Sequence, residues 1–161
     1  MEIRLAKPED TLGILRLLEQ IGRLHYNLRP DIFQAHAQKF GASQILARLA
    51  NPATPTFVAA EGEKVVGYSF CELKSFDKHP VIADHKELFL EDLCVDENAR
   101  GQGIGKALYN YVCQYARQQG CHNLTLHVWH DNAEAVGFYK AMGMKPQRYI
   151  METLLEETDA K

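Results

Sequence analysis

The sequence predicts an α+β domain of three layers, in which a mixed, mostly antiparallel sheet is flanked by about four helices. Strand-like stretches follow one another before a glycine-rich turn at 100–105, and they lie at 56–61, 64–73 and 87–95. Successive strands of this kind, joined without a helix, pair antiparallel. The strand at 87–95, the helix after the turn and a strand at 123–129 follow in the order strand, helix, strand, which requires a right-handed crossover and parallel pairing. The fold class rests on these two observations.

The composition fits one domain over residues 1–161. Of the 161 residues, 46% are hydrophobic and 24% are charged, which is ordinary for a globular protein. The net charge of −3 argues against a nucleic-acid partner. No apolar run has the length of a membrane span, and the first residues do not begin a signal peptide. We therefore expect no membrane partner. The four cysteines form no CxxC pair, so we expect reduced thiols and a cytoplasmic protein.

The first half of the chain predicts a strand, two helices and an irregular connection. Residues 2–6 alternate as a short strand, and Pro8 begins a helix with one broad apolar side. The helical period is lost over 22–41, and a second helix follows at 43–49. Within the connection, the stretch 25–33 mixes aromatic, basic and acidic residues. It is either a packed connection or a wall that faces the substrate, since binding residues often lie on loops.

The second half alternates strands and helices more clearly. Gly62 predicts a hairpin turn, and the polar residues of 74–86 indicate a loop. The helix after the glycine turn has one apolar face, formed by Ile104, Ala107, Leu108, Tyr111, Val112, Tyr115 and Ala116. The remaining predictions, in order, are a strand at 123–129, a helix at 132–142, a final strand at 147–155 and a frayed tail at 156–161.

The glycine-rich turn has the features of an anion site. The run Arg100-Gly101-Gln102-Gly103-Ile104-Gly105 follows a strand and opens a helix. Glycines let backbone N–H groups approach an anion, and the first N–H groups of a helix lack an intrahelical partner. Two phosphate templates fail here. The dinucleotide pattern needs glycine where Lys106 stands, and the P-loop needs a hydroxyl residue where Ala107 stands.

The turn and its surroundings resemble the acetyl-CoA signature of the GNAT acetyltransferase superfamily. That signature is Arg/Gln-x-x-Gly-x-Gly/Ala between a strand and a helix, and residues 100–105 match it. The likeness extends upstream to 92–96 and downstream to Asn132 and Phe138-Tyr139, and the order of elements is similar over nearly the whole chain. The run Leu90-Glu91-Asp92 is similar to the corresponding strand of diamine and polyamine acetyltransferases.

The resemblance implies where acetyl-CoA binds. A splayed V between strands 88–95 and 123–129 would hold the pantetheine arm, and the N–H groups of the turn would hold the pyrophosphate. The implied residues on the strand and the turn are Leu93, Cys94, Val95, Arg100, Gly101, Gln102, Gly103, Ile104, Gly105 and Lys106. Those on the later helix are Asn132, Ala135, Phe138 and Lys140. We also expect Asn132 to cap that helix.

The resemblance also implies direct acetyl transfer from the thioester to a primary amine. An alkylamine with a pKa of about 10 arrives protonated, so a group on the enzyme must accept a proton. Glu91 and Asp92 are neighbours on a strand and should point to opposite faces, so that one of them faces the cleft. Glu91 matches the base of polyamine enzymes, with another carboxylate acting through water as the alternative. Tyr139 matches the tyrosine that protonates the departing thiolate.

Two other groups suggest different chemistry. Cys94 could accept an acyl group, but no histidine is evidently placed to activate it, so a buried core thiol is favoured. His127 and His130 could suggest a metal pair, but no third ligand is evident, and we expect no metal.

The substrate and the partners leave alternatives open. The run 90–92 favours a polyamine-like amine, whereas Arg29 would repel a polycation, and amino-acid-like, aminoglycoside or peptide amines fit as well. His25, Tyr26, Arg29 and Asp92 are candidates for the substrate side of the cleft. The second functional hypothesis is a module that binds or senses acetyl-CoA without catalysis. We further expect a homodimer, because sheets of this kind often pair through late strands.

Overall fold

The computed structural model describes residues 1–155 and contains a five-stranded sheet with helices on both faces. The elements in chain order are β1 (Glu2–Leu5), α1 (Thr11–Leu28), α2 (Ala42–Ala50), β2 (Thr56–Glu61), β3 (Lys64–Phe76), β4 (His85–Val95), α3 (Ile104–Gln118), β5 (Asn123–Leu126) and α4 (Ala133–Ala141). The strands lie in sequence order, antiparallel from β1 to β4 and parallel between β4 and β5. The predicted fold class is therefore confirmed.

Two apolar clusters lie on opposite faces of the sheet. On one face α3 packs on the fully buried side chains of Phe57 and Leu88. On the other face α1 and α2 pack on Val58 and Phe70. These two layers give the three-layer arrangement, and β4 contributes side chains to both clusters.

Helix α1 is longer than its predicted length. It continues through Gly22 to Leu28, so His25 lies on a helix and not in the predicted irregular connection. A glycine inside a helix costs about 1 kcal/mol relative to alanine. The apolar face of α1 outweighs this cost, because Ile21 and Leu24 continue its spacing and line a cleft beside β4.

Strand β5 is shorter than predicted, and its early end opens the sheet. The β4–β5 ladder stops at the pair Leu90–Leu126, whereas β4 continues to Val95 beside β3. Residues 127–129, predicted as part of the strand, leave the sheet instead. The two parallel strands therefore diverge and form the V that the resemblance implied.

The predicted final strand at 147–155 is wrong. These residues take part in no ladder, and their apolar residues form two runs, 149–151 and 154–155, instead of alternating as in a strand. A strand forms only where a neighbouring strand accepts its hydrogen bonds, and this segment pairs with no strand of residues 1–155. The predicted tail at 156–161 lies outside the described residues. No helix within residues 1–155 is long and apolar enough to cross a bilayer.

Candidate active site

A cleft of about 340 Å³ lies beside the open end of β4. Its walls come from α1, β4, the glycine turn, the start of α3 and α4. The predicted site residues that line it are His25, Leu93, Cys94, Val95, Arg100, Gly101, Gly103, Ile104, Gly105, Lys106, Asn132, Ala135, Phe138 and Tyr139. The fold thus brings most of the predicted cofactor residues and the candidate acid into one cavity.

Some predicted residues lie outside this cleft, and some lining residues were missed. The predicted residues that do not line it are Tyr26, Arg29, Glu91, Asp92, Gln102 and Lys140. The lining residues that were not predicted are Ile21, Leu24, Ala99 and Glu134. The helical spacing of Ile21 and Leu24 was a usable signal, but the loss of periodicity after Gly22 hid it. Ala99 and Glu134 carry no local signal.

The glycine turn presents free N–H groups to the cleft. Gly101 and Gly103 have φ angles of 76° and 79°, a left-handed conformation that favours glycine. Gly103 is the N-cap of α3, and no side chain of the described residues caps this helix end. The unpaired N–H groups and the helix dipole therefore suit an anion. A β-carbon at Gly101 or Gly103 would meet nothing within 4 Å, so the space in front of the turn is open.

An ion pair between a half-exposed arginine and a buried carboxylate ties the turn to α1. The carboxylate of Asp96, 1% exposed, accepts hydrogen bonds from Arg16 at 2.6 Å and from the Asn98 N–H at 3.1 Å. Burial would raise the pKa of Asp96, but these bonds and one from Gln20 lower it to about 2. Arg16 also donates to the carbonyl of Val65 at 2.9 Å. The strand before the turn is therefore fixed to the helix that forms one wall of the cleft.

The start of α4 is placed at the cleft by Asn132. Its side-chain oxygen accepts a hydrogen bond from the Ala135 N–H at 3.1 Å, which confirms the predicted cap. Two turns later, Tyr139 packs edge-on against Phe138 with the ring centroids 5.1 Å apart. Both rings line the cleft, so α4 presents an amide, a phenyl ring and a phenol to the same cavity.

A β-bulge changes which way the β4 side chains point. Phe70 on β3 faces Asp92 on β4, but the next residue, Cys71, faces Leu90, so Glu91 has no partner. As a result, Leu90 packs in the α3 cluster, whereas Cys94, four residues later, packs in the α1 cluster. Regular alternation would keep both on one face. The extra residue of a bulge reverses the facing of the residues after it.

The bulge also brings two carboxylates to one side, contrary to prediction. Lys39 Nζ lies 3.4 Å from an oxygen of Glu91 and 3.2 Å from an oxygen of Asp92. The expectation that these neighbours point to opposite faces is therefore wrong, because Glu91 is the bulged residue. Arg48 adds a second cation, 3.0 Å from Glu91, and its guanidinium lies over the Phe70 ring at 4.9 Å.

Asp92 is electrostatically linked to both Tyr139 and His25. Burial raises the pKa of Asp92; Lys39 and the protonated form of His25 oppose this rise, and Glu91 adds to it. Burial, followed by the charge of Asp92, raises the pKa of Tyr139 well above its ordinary range. Burial lowers the pKa of His25, against the pull of Asp92. At neutral pH Tyr139 therefore keeps its proton, and the neutral form of His25 is favoured.

Cys94 is a core thiol, as the sequence favoured. Its side chain is buried in the α1 cluster, and its sulfur donates to the carbonyl of Leu17 at 3.7 Å. Burial raises the pKa of this thiol to about 12, so the nucleophilic thiolate is not populated at neutral pH. Cys94 belongs to the cleft through its position on β4 and not as a nucleophile.

Arg29 lies at the end of α1, engaged by acids. It forms ion pairs with Asp31 at 2.7 Å and with Glu152. Its guanidinium also lies 5.8 Å from the centre of the Trp129 ring. Two carboxylates thus offset the positive charge that was expected to repel a polycation.

The chain belongs to the GNAT acetyltransferase family. The family model described as "Acetyltransferase (GNAT) family" matches residues 20–144, which include the turn, the bulged strand and α4. Relatives in this family are named N-acetyltransferases, and the chain is an acetyltransferase enzyme of this class. Enzymes of the family use acetyl-CoA.

Two mammalian relatives match most of the chain. Thialysine N-epsilon-acetyltransferase of Bos taurus is 30% identical over 149 residues, which cover 88% of this chain and 82% of that protein. The enzyme of the same name from Mus musculus is 28% identical over 144 residues, with the same coverage of both chains. This chain is similar to these enzymes along most of their length.

Solved structures show the same fold. A single-site mutant of the BH1408 protein from Bacillus halodurans is 30% identical, with a TM-score of 0.92 over 97% of this chain and 100% of that chain. An aminoglycoside N-acetyltransferase, AAC(6')-Iy in complex with CoA, is 15% identical, with a TM-score of 0.72 over 96% of this chain and 99% of that one. At this low identity, the second similarity concerns the fold alone.

Proposed function

We propose that this enzyme transfers the acetyl group of acetyl-CoA to a primary amine of a small molecule by direct attack. One observation carries the proposal: Tyr139 shares a cleft with an uncapped helix start and is electrostatically linked to Asp92, one member of the carboxylate pair. These features supply the three functions that the reaction needs. The helix start holds an anion, the carboxylate accepts a proton from the amine, and Tyr139 gives a proton to the leaving thiolate.

The glycine turn would hold the cofactor. Acetyl-CoA supplies an activated thioester when bound. The N–H groups from Gly101 to Lys106 suit its pyrophosphate, and Leu93 and Val95 lie on the part of β4 that β5 leaves unpaired. Arg100 and Lys106 line the same cleft and add positive charge. Gln102 and Lys140 remain candidates for the outer, charged part of the cofactor.

Asp92 is the carboxylate that we assign to the incoming amine. Its burial favours the protonated form, and its charge acts on both Tyr139 and His25. Glu91, the base predicted from the sequence, is engaged by the guanidinium of Arg48 at 3.0 Å. We therefore propose that Glu91 supports the site while Asp92 accepts the proton, directly or through water.

Tyr139 is the proposed general acid. A phenol that keeps its proton at neutral pH can donate it to the thiolate that leaves as the acetyl group moves. Burial and the neighbouring carboxylate of Asp92 favour this protonated state. Its position on α4, seven residues after the Asn132 cap, keeps the phenol in the cleft.

For the substrate, we propose an amine on an amino acid or a polyamine. The mammalian relatives are named for the ε-amine of thialysine, which supports an amino-acid-like amine. The paired carboxylates Glu91 and Asp92 suit an ammonium group of either kind. His25 lines the cleft on the side from which this amine would approach, with Tyr26 beside it in sequence.

The test is release of CoA from acetyl-CoA with a panel of amines: thialysine, lysine, spermidine, an aminoglycoside and a peptide with a free N-terminus. Turnover with at least one small amine, with the product identified by mass spectrometry, supports the proposal. Tight binding of CoA in calorimetry without turnover on any amine would contradict it and would favour the sensing module. Turnover on the peptide alone would also overturn the assignment to a small molecule.

We also propose that residues 1–161 act as one catalytic unit in a homodimer. Within the described residues α4 has no buried side chain, and the segment 149–155 exposes Tyr149, Ile150, Met151, Leu154 and Leu155 by 68–91%. The sheet also ends at the short strand β5. In a symmetric dimer, the segment 149–155 of each copy can pair with the open β5 edge of the other copy. The four free cysteines favour a reducing compartment such as the cytoplasm.

A further inference from the structure

The ammonium of Lys39 lies where the substrate's ammonium is expected. Lys39 belongs to the irregular connection between α1 and α2, and its Nζ is 3.2 Å from Asp92 and 3.4 Å from Glu91. A primary alkylammonium group is the same chemical group that a polyamine or a lysine-like substrate carries. The enzyme therefore holds one of its own amines against the carboxylate that we assign to the incoming amine.

The two cations at this carboxylate pair differ in how firmly they are held. The side chain of Arg48 is 13% exposed, and its guanidinium lies against the rings of Phe40 and Phe70, at 5.2 and 4.9 Å. The side chain of Lys39 is 44% exposed. Because nearly half of the Lys39 side chain is exposed, it can move into solvent when another ammonium takes its place at the two carboxylates, which are 15% and 9% exposed. Arg48 is a fixed part of the site, and Lys39 is a replaceable one.

We propose that Lys39 is an internal competitor of the amine substrate. In the free enzyme its ammonium occupies the Glu91–Asp92 pair, and an incoming substrate ammonium displaces it into solvent. The inference rests on the proposed function, because it takes Asp92 as the carboxylate that receives the amine. Lys39 then sets specificity, because an amine must interact with both carboxylates better than Lys39 in order to displace it.

The competition has a kinetic consequence. In part of the free enzyme, Lys39 occupies the carboxylate pair and blocks the amine. The apparent KM for the amine therefore equals the intrinsic KM divided by the fraction of enzyme in which the pair is unoccupied. Removal of the ammonium should lower this KM by about twofold or more, and by a larger factor the more firmly Lys39 is held. The kcat should stay the same, since Lys39 is absent from the bound state. The KM for acetyl-CoA should not change either.

Steady-state kinetics of Lys39→Met, with an amine that the wild type acetylates, tests this consequence. Lys39→Arg keeps the positive charge and should restore a KM close to that of the wild type. Lys64→Met removes an exposed charge at the β2–β3 hairpin and is the matched control. A lower amine KM in Lys39→Met alone supports the competitor. An unchanged or higher KM, or a tenfold loss of kcat, would overturn it, because Lys39 would then be inert or part of substrate binding.

A second measurement does not depend on turnover. The ¹H–¹⁵N signal of the Lys39 ammonium, assigned by its loss in Lys39→Arg, is followed in the wild type during titration with spermidine or thialysine without acetyl-CoA. A shift to the position of a solvated lysine supports displacement, even if no amine is ever acetylated and the proposed function fails. If an amine is acetylated and the Lys39 signal stays in its ion-paired position at saturation, the proposed function stands and the competitor is excluded.

Discussion

Glu91 and Asp92 are adjacent along β4, yet both carboxylates approach the same ammonium, that of Lys39, at 3.4 and 3.2 Å. The bulge at Glu91 produces this arrangement by adding one unpaired residue to the strand. Bulges often redirect side chains beside active sites. Here the bulge lies where the β4–β5 ladder ends, so the paired carboxylates and the opening of the V have one structural origin.

The two carboxylates should contribute unequally to the reaction. We expect Asp92→Asn to lower kcat about 100-fold or more, the range typical of a lost general base. Glu91→Gln should mainly raise the amine KM, because it removes one partner of the ammonium and leaves Asp92 in place. Separate determination of kcat and KM for both variants checks this. The reverse pattern would return the role of base to Glu91.

The raised pKa of Asp92 gives the site a pH dependence. Burial makes this carboxyl harder to ionise than an ordinary aspartate, and Lys39 opposes that effect. If ionised Asp92 accepts the proton, kcat/KM for the amine, which reports the free enzyme, should fall on the acidic side. Loss of the Lys39 charge should move that limb to higher pH, because Lys39 contacts Asp92 in the free enzyme. A pH profile of kcat/KM for wild type and Lys39→Met between about pH 5 and pH 9 checks this; an identical acid limb in the two proteins would contradict it.

Gly103 should be needed for cofactor affinity beyond its effect on stability. Gly103 and Gly120 stand at opposite ends of α3, with φ angles of 79° and 72°. A residue with a β-carbon costs about 1–2 kcal/mol in this conformation, so alanine at either position should destabilise the fold similarly. Gly103→Ala should in addition weaken CoA binding in calorimetry about tenfold. An equal loss of affinity in Gly120→Ala would show that strain alone is responsible.

Asp96 should stabilise the fold in a pH-dependent way. Its pKa is lowered to about 2 from the ordinary value of 3.8, so the stabilisation is complete above the unfolded-state pKa and is lost as pH falls through the folded-state pKa. The shift corresponds to about 2 kcal/mol at pH 7 and to about half of that at pH 3. Urea unfolding should show Asp96→Asn less stable than wild type at pH 7, with a narrower gap at pH 3. A constant gap would contradict the assignment to the Arg16 ion pair.

The apolar segment near residue 150 should hold two copies together. Light scattering of the wild type should give twice the 18.3 kDa mass of one chain. The double variant Ile150→Glu and Met151→Glu should be monomeric, because charge at the contact is unfavourable. Val81→Glu, at another residue that is 86% exposed, is the control and should stay dimeric. A monomeric wild type would contradict the proposal.

Much of the site was predictable because its signals are local. The glycine turn, the Asn132 cap and the spacing that follows them are set within a few residues of sequence, and the structure places these residues around one cleft. The parallel pairing of β4 and β5 follows from the helix between them. Tyr139 was predicted from the resemblance to the family's tyrosine, and it lines the cleft two turns beyond the cap.

The parts that the sequence missed depend on distant residues. The bulge at Glu91 is a property of the register between β3 and β4, which no pattern within β4 records. The role of Lys39 depends on the connection between α1 and α2 folding over that bulge, and a polar loop carries no period. The segment 147–155 is rich in apolar residues, but whether it forms a strand depends on the presence of a neighbour to pair with.

Acetyl transfer with Tyr139 as the acid is tested most directly by the kcat for CoA release in Tyr139→Phe. With a saturating amine, kcat should fall about 100-fold or more, while calorimetry shows CoA affinity within about twofold of wild type. Tyr149→Phe, which alters an exposed phenol in the segment 147–155, should keep full activity. A Tyr139→Phe enzyme that is folded, binds CoA and retains the wild-type kcat would contradict the account.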